Sequence, residues 1–514
     1  MSDRATSNPT TTLGDGCFDV LVVGGGIVGA GVARDAALRG LRTALVEQND
    51  FASGTSSRSS RLLHGGIRYL AQGRVGLVFE ANSEKGVVGH IAPHLCQPLP
   101  FLFPTRKKTD WQRWKLSVGV RLYDLLCGRR RMGRSSTLSV AGMLSRLPGL
   151  NDTRLTGGVR YFDALTNDSR LVIDTLRSAA NAGATLANYT RLEEANPSDG
   201  EWECRLQTAG GETIACRARA VVNATGPWSD QLPQSSTSLR LTKGVHLVVD
   251  RSRLPVPEAV VMTEGDRILF AIPWGERVIL GTTDTDYDGP IGAPTCDPED
   301  VDYVLEVTNN AFPQAGLTTA DVNSTWVGLR PLVAQKNGDP SDISRRHEVT
   351  TVHAGWWDVT GGKLTTYRLM AQEAVDAVAS RLGASAMGCR TATTALLDES
   401  QLHGSGLLPP PVTEEAVQHF CRNEWARHLD DVMVRRSSWI HYEKDAGQVA
   451  RQVAGWMASE LGWSRQRLED ELASMTPPTS MIDFANHPHF LATSDPSEFC
   501  RERRQPQAAP STLE

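Results

Sequence analysis

The chain has 514 residues, 40% of them hydrophobic, and a formal net charge of −6. That length supports about three domains' worth of core in a globular protein, and the charge carries no global signature of nucleic-acid binding. Nine cysteines form no C-x-x-C pair and follow no secretory signal, which predicts a reducing, cytoplasmic setting. No stretch nears the ~20 continuous apolar residues of a membrane span, and no metal site is expected.

Residues 1–17 are polar and rich in Thr and Ser, so disorder is expected there. Phe18 to Val23 is apolar and β-branched and predicts the first strand. Gly24, Gly26 and Gly29 follow in G-x-G-x-x-G spacing, Ile27 to Arg39 has helical periodicity, and Gly40 is a glycine stop. Thr43 to Val46 predicts a second strand ending at Glu47, about 20 residues beyond the glycines, where a carboxylate can accept hydrogen bonds from ribose hydroxyls. The glycines let the backbone approach a pyrophosphate, and the helix start at Ile27 and Val28 offers it N–H groups and partial positive charge. This fingerprint alone does not choose between NAD and FAD.

A polar, glycine-rich block runs from Phe51 to Gly73, and a basic, aromatic stretch from Thr105 to Arg134. Ala220 to Asn223 predicts a short strand leading into Ala224-Thr225-Gly226. Val245 to Asp250, Arg267 to Pro273 and Arg277 to Thr283 predict strands, and Asp297-Pro298-Glu299 a helix start. A strand near Trp357 to Thr360 leads into Gly361-Gly362. After Pro409 to Pro411 the chain reads as helix, and beyond residue 475 as a disordered tail. Cofactor-type turns early, midway and late imply an α/β nucleotide domain assembled from distant segments: 18–90, 150–235 and 346–385. A substrate domain would comprise 91–149 and 236–345, and a helical region 386–475.

Ser56-Ser57-Arg58-Ser59-Ser60-Arg61-Leu62-Leu63-His64-Gly65-Gly66-Ile67-Arg68-Tyr69-Leu70 resembles a signature of the FAD-dependent, quinone-linked glycerol-3-phosphate dehydrogenase family. Val222-Asn223-Ala224-Thr225-Gly226-Pro227-Trp228, Lys243-Gly244-Val245-His246, Ile272-Pro273-Trp274 and Gly281-Thr282-Thr283-Asp284 match as well. So do Gly328-Leu329-Arg330-Pro331-Leu332 and Gly361-Gly362-Lys363-Leu364-Thr365-Thr366-Tyr367-Arg368, all in the family's order. The resemblance implies a Rossmann-like FAD domain of the glutathione-reductase/D-amino-acid-oxidase type, an inserted α+β substrate domain and a small C-terminal helical region. The stretch between Ala395 and Asn423 looks shortened against the family.

It also implies non-covalent FAD. Gly24, Gly26, Ile27, Val28, Gly29 and Glu47 would hold it, with Ser56, Ser57, Ser60, Leu62, His64, Gly65 and Gly66 from the signature. Ala224, Gly226, Gly362, Lys363, Leu364 and Thr365 complete the expected cofactor set. A substrate phosphate needs cations with well-placed donors, for which Arg68, Arg330, Arg345 and Lys363 are the candidates, with Tyr69 beside them. Oxidising the alcohol needs a base, and His246 suits work near neutral pH. A substrate-contacting Arg330 or Arg345 could instead stabilise the developing alkoxide.

The basic stretch carries Trp111, Trp114 and many Lys and Arg with few acids, and reads as a basic aromatic helix in contact with an anionic membrane interface. The resemblance points the same way: peripheral attachment to the inner face of the cytoplasmic membrane and electron transfer to quinone. Glycerol 3-phosphate is then the substrate, and a homodimer stays open. The alternatives are an oxidase delivering electrons to oxygen, a related FAD enzyme for amines or 2-hydroxy acids, and a flavoprotein without turnover.

Overall fold

The computed structural model describes residues 9–14, 16–67, 70, 73–107, 109, 111–128, 131–265, 267–333, 347–383 and 388–475. Arg68, Tyr69 and Arg345 lie outside the described residues, as do 1–8 and 476–514. The strands of the first half are β1 (Cys17–Val23), β2 (Thr43–Val46), β3 (Leu62–Leu63), β4 (Gln97–Arg106), β5 (Ser136–Leu138), β6 (Leu155–Leu165), β7 (Thr185–Ala187), β8 (Thr190–Ser198) and β9 (Glu201–Thr208). Those of the second are β10 (Thr213–Asn223), β11 (Leu239–Asp250), β12 (Ala259–Glu264), β13 (Arg267–Trp274), β14 (Arg277–Gly281), β15 (Thr285–Tyr287), β16 (Val322–Val333), β17 (Glu348–Thr350) and β18 (Trp356–Thr360).

The first sheet runs β17-β18-β10-β1-β2-β7, with β8 and β9 hairpinned onto the start of β10. From β18 to β7 its strands are parallel. Alternation sorts β1 between two cores. Val20 and Val22 meet residues of the helices Ile27–Leu38, Asp168–Asn181 and Tyr367–Leu382, while Leu21 and Val23 join the core of Trp202 and Trp356. Parallel strands under crossover helices are what the apolar runs and glycine turns demand.

The second sheet runs β15-β11-β14-β13-β12-β4-β6-β3, with β16 along the other side of β11 and β5 on β6. One face carries the helices Val140–Arg146 and Pro298–Ala311, the latter started by a capping box between Asp297 and Asp300. The other receives Leu116, Val120 and Tyr123 of the helix Arg113–Cys127.

The helices Glu414–Asn423, Ala446–Leu461 and Arg465–Ser474 enclose their own core around Val417, Phe420, Val453 and Met457. Buried ion pairs join this unit to the first sheet's helices and loops. Arg170 clamps Glu424 with bonds of 2.6 and 2.8 Å, and Arg436 clamps Asp50 with 2.5 and 2.8 Å. Arg435 reaches the same Asp50 at 2.5 Å.

Three expectations are corrected. Disorder across residues 1–17 gives way, from residue 9 on, to a helix Pro9–Gly14 and the start of β1, because Leu13 buries itself in the first sheet's core. β3 and β6, expected in the nucleotide domain, belong to the second sheet: β6 pairs antiparallel with β4 from Gln97↔Leu165 to Arg106↔Leu155, and β3 follows β6. The basic stretch is not one helix, since Thr105 and Arg106 end β4 and the helix starts at Arg113. Among the described residues no helix is long and apolar enough to cross a membrane.

Candidate active site

Three turns meet at the carboxyl ends of parallel strands, where open α/β sheets bind ligands. Gly24 follows β1, Ala224-Thr225-Gly226 follows β10 and Gly361-Gly362 follows β18. A methyl on Gly24 would lie 2.6 Å from the Ala224 carbonyl oxygen, and one on Gly29 1.9 Å from that of Gly24. Only glycine permits this approach of strand, helix and neighbouring turn. Glu47 accepts the Gly25 N–H at 2.7 Å and the Asn49 N–H at 2.9 Å, which fixes its carboxylate at the end of β2. A carboxylate offers about four lone-pair sites, so these backbone bonds leave acceptor capacity for ribose hydroxyls. Burial pushes the Glu47 carboxyl up, opposed by those backbone bonds. The glycine cradle and the anchored acid fit an adenine dinucleotide.

The serine block sits between the sheets. Ser56 Oγ accepts the Ile27 N–H at 3.0 Å, and Ser57 is buried beside it in the turn Thr55–Ser57. Thr55 Oγ1 donates to the Leu329 carbonyl of β16 at 2.5 Å, and Trp326 Nε1 to the Ser59 carbonyl at 3.2 Å. The block is thus stitched to the same strand that carries Arg330.

His246 and Arg330 share a face of the second sheet. On β11 and β16 the register pairs His246 with Trp326 and Thr242 with Arg330, both on the same parity. Arg330 lies across Gly244, where a methyl would fall 2.4 Å from its Nη2. Its guanidinium donates to Asp284 at 3.0 Å, Thr282 Oγ1 at 3.0 Å and the Thr283 carbonyl at 3.1 Å. His246 stacks on Trp326 with ring centroids 5.3 Å apart, and its Nε2 meets Ser60 Oγ at 2.8 Å. Burial, then the charges of Arg330 and Arg61, lower the His246 pKa to about 3. The imidazole is therefore neutral at neutral pH, which keeps it able to accept a proton but makes it a weak base while no anion faces it.

The remaining expected residues fall into two linked loops. The His64 N–H donates to Thr365 Oγ1 at 3.1 Å, joining the Leu62–Gly66 segment to Gly362-Lys363-Leu364-Thr365 ahead of the last helix of the sheet. Gly362 has φ 75°, and a methyl there would strike Met370 Sδ. Gly65 donates its N–H to the Tyr123 hydroxyl at 2.8 Å. Sequence reasoning missed Tyr123 and its partners Asp163 and Lys85, along with Trp326 under His246. It saw Gly281-Thr282-Thr283-Asp284 as a motif but not as the cradle of Arg330.

A dinucleotide fold with a neutral histidine and a half-buried arginine on an adjoining antiparallel sheet defines an FAD-linked oxidoreductase. The chain belongs to the family described as FAD dependent oxidoreductase, whose model matches residues 19–377, and it uses FAD. Residues 392–468 match the C-terminal domain of alpha-glycerophosphate oxidase, so the helical unit is a family element. The chain is 43% identical over 381 residues to the aerobic glycerol-3-phosphate dehydrogenase of Staphylococcus epidermidis, covering 72% of this chain and 68% of that protein. It is 40% identical over 375 residues to the protein of the same name from Staphylococcus aureus, covering 71% and 67%. The crystal structure of glycerol-3-phosphate dehydrogenase from Bacillus halodurans complexed with FAD superposes with a TM-score of 0.75 at 29% identity, covering 95% of this chain and 98% of that one. L-alpha-glycerophosphate oxidase from Mycoplasma pneumoniae shares the fold with a TM-score of 0.60 at 17% identity, covering 73% and 97%.

Proposed function

We propose that this protein oxidises sn-glycerol 3-phosphate to dihydroxyacetone phosphate and passes the electrons to a membrane quinone. The observation that carries the reading is the placement of His246 and Arg330 on one face of β11 and β16, stitched to the serine block of the cofactor side. Bound FAD supplies the hydride-accepting chemistry. Arg330, with Arg68, Tyr69, Arg345 and Lys363, holds the substrate phosphate. His246 takes the proton of the alcohol. A phosphate dianion beside Arg330 cancels part of the positive field on the imidazole and raises its basicity when substrate arrives. Asp284 and Thr282 hold the Arg330 fork in place, so less side-chain freedom is lost on binding.

The outer face of the helix Arg113–Cys127 supports docking on the inner face of the cytoplasmic membrane. Trp114, Val118, Leu122 and Leu125 are exposed there, with Arg113, Lys115 and Arg121 also exposed on the same helix. Apolar side chains within a basic surface suit an anionic lipid interface. The match to an oxidase C-terminal domain keeps oxygen in view as an alternative acceptor.

The test is an anaerobic titration of the FAD-loaded protein with sn-glycerol 3-phosphate. Bleaching of the flavin absorbance, fast reoxidation by a quinone and slow reoxidation by air are expected. Fast reoxidation by air assigns an oxidase instead, and no bleaching removes the substrate assignment.

A further inference from the structure

The helix Arg113–Cys127 is apolar on two opposite sides. Its outer stripe is Trp114, Val118, Leu122 and Leu125, exposed by 65, 60, 39 and 75%. Its inner stripe is Leu116, Val120, Tyr123 and Cys127, all buried. The inner stripe reaches beyond the core. The Tyr123 hydroxyl accepts the Gly65 N–H at 2.8 Å and donates to Asp163 Oδ1 at 2.5 Å. Lys85 Nζ bonds the same carboxylate oxygen at 2.6 Å, and the Gly65 N–H approaches it at 3.3 Å. Burial first, then the Asp163 charge, push the Tyr123 phenol well above its ordinary pKa, so it stays protonated. A methyl on Gly65 would lie 2.4 Å from the Tyr123 oxygen and 2.5 Å from Asn82 Oδ1, so the turn has no slack. Among the described residues both amide atoms of the fully buried Asn82 lack a hydrogen-bond partner, so this side of the turn is held through the Gly65 N–H, by Tyr123 at 2.8 Å and more weakly by Asp163 at 3.3 Å. One residue earlier, His64 bonds Thr365 across the site.

We propose that Tyr123 is a positioning residue that couples docking of its helix on an anionic lipid surface to the setting of the His64–Gly66 turn at the flavin. The inference rests on the docking reading above and adds an inward route to it. An ammonium, a phenol and an amide converging on one buried carboxylate tolerate little displacement. A small shift of the helix as its outer stripe enters lipid is therefore passed to the Gly65 backbone and so to the cofactor.

The test uses FAD-loaded protein with phosphatidylglycerol vesicles, reading co-sedimentation, flavin emission and flavin midpoint potential. In the wild type, binding to vesicles is expected to shift emission and potential together. Tyr123→Phe should co-sediment equally well, retain FAD and lose both shifts. Val118→Ser/Leu125→Ser should retain FAD and lose co-sedimentation, and with it the flavin response. Co-sedimentation of the wild type without any flavin shift overturns the coupling and leaves the docking reading standing. A wild-type-sized shift in Tyr123→Phe also overturns it. Absence of co-sedimentation overturns docking and coupling together. The wild-type and outer-stripe measurements decide the matter even if Tyr123→Phe fails to fold.

Discussion

A methyl group at Gly29 would enter the Gly24 carbonyl at 1.9 Å, and backbone on both sides leaves nothing to yield. Gly29→Ala should therefore fold less stably, with overpacking costing about 1–3 kcal/mol, and should be purified with little FAD, read from the flavin-to-protein absorbance ratio. Arg330 invites a different test, because its cradle survives the loss of its charge. Arg330→Met should lower kcat/KM for glycerol 3-phosphate by about 10- to 100-fold, the worth of a charge-assisted contact of roughly 1.5–3 kcal/mol. Single residues were legible in the sequence where one local turn dictates the residue type: Gly24, Gly29 and Glu47 stand where the fingerprint puts them. Ser60 shows why others were not. Its partner His246 lies 186 residues away, and no spacing rule reaches across two sheets. Ser56 likewise spends its oxygen on the Ile27 N–H, a bond that joins the serine block to the first helix and that no local pattern announces.

Among elements, β1, the end of β10 and β18 were readable because each is an apolar run leading into a glycine turn, and β2 because it ends at Glu47; β7 carries no such signal. β6 was misplaced because its apolar residues are equally compatible with either sheet, and only its pairing with β4 decides. The C-terminal helices were readable from periodicity, but their attachment was not, because it rests on long-range buried charges beside ring contacts such as Phe51 with Trp425 and Trp274 with Tyr442. Glu424 is the centre of that attachment. Burial alone would raise its carboxyl, yet Arg170 and Arg177 hold it far below the ordinary carboxylate range. Glu424→Gln leaves Arg170 buried without its bidentate partner, and should cost about 3–5 kcal/mol in urea unfolding. Replacing the whole set by apolar residues would be milder, since a broken pair costs more than an absent one.

Across the whole molecule, two buried histidines contribute a pH dependence of definite sign, while His428, whose burial is outweighed by Glu471 so that its pKa is raised, acts in the opposite sense. His246 and His441 are both buried, and burial followed by neighbouring arginines lowers each to about 3. Unfolded, each imidazole titrates near 6.5, so between about 6.5 and 3 the unfolded chain binds two more protons than the folded one. Their contribution is full above the unfolded value and is lost as pH falls, each histidine contributing about 1.4 kcal/mol per pH unit. Melting temperature should fall across this range, and His441→Asn should lessen the slope by about one proton. The chain's discontinuity has a further consequence, for how the protein is made. β1 is complete within the first few dozen residues, yet its neighbour β10 ends at Asn223, and β18 comes only at Trp356–Thr360. At about 5–20 residues per second, some 180 residues must follow β2 before β10 covers the open side of β1, leaving that strand exposed on the ribosome for roughly 9–35 s. Asp50 waits longer still, because Arg435 and Arg436 are translated last of that cluster. Nascent chains halted before that point would present an unclosed nucleotide site and an unpaired acid, which marks them as chaperone clients rather than as cofactor acceptors.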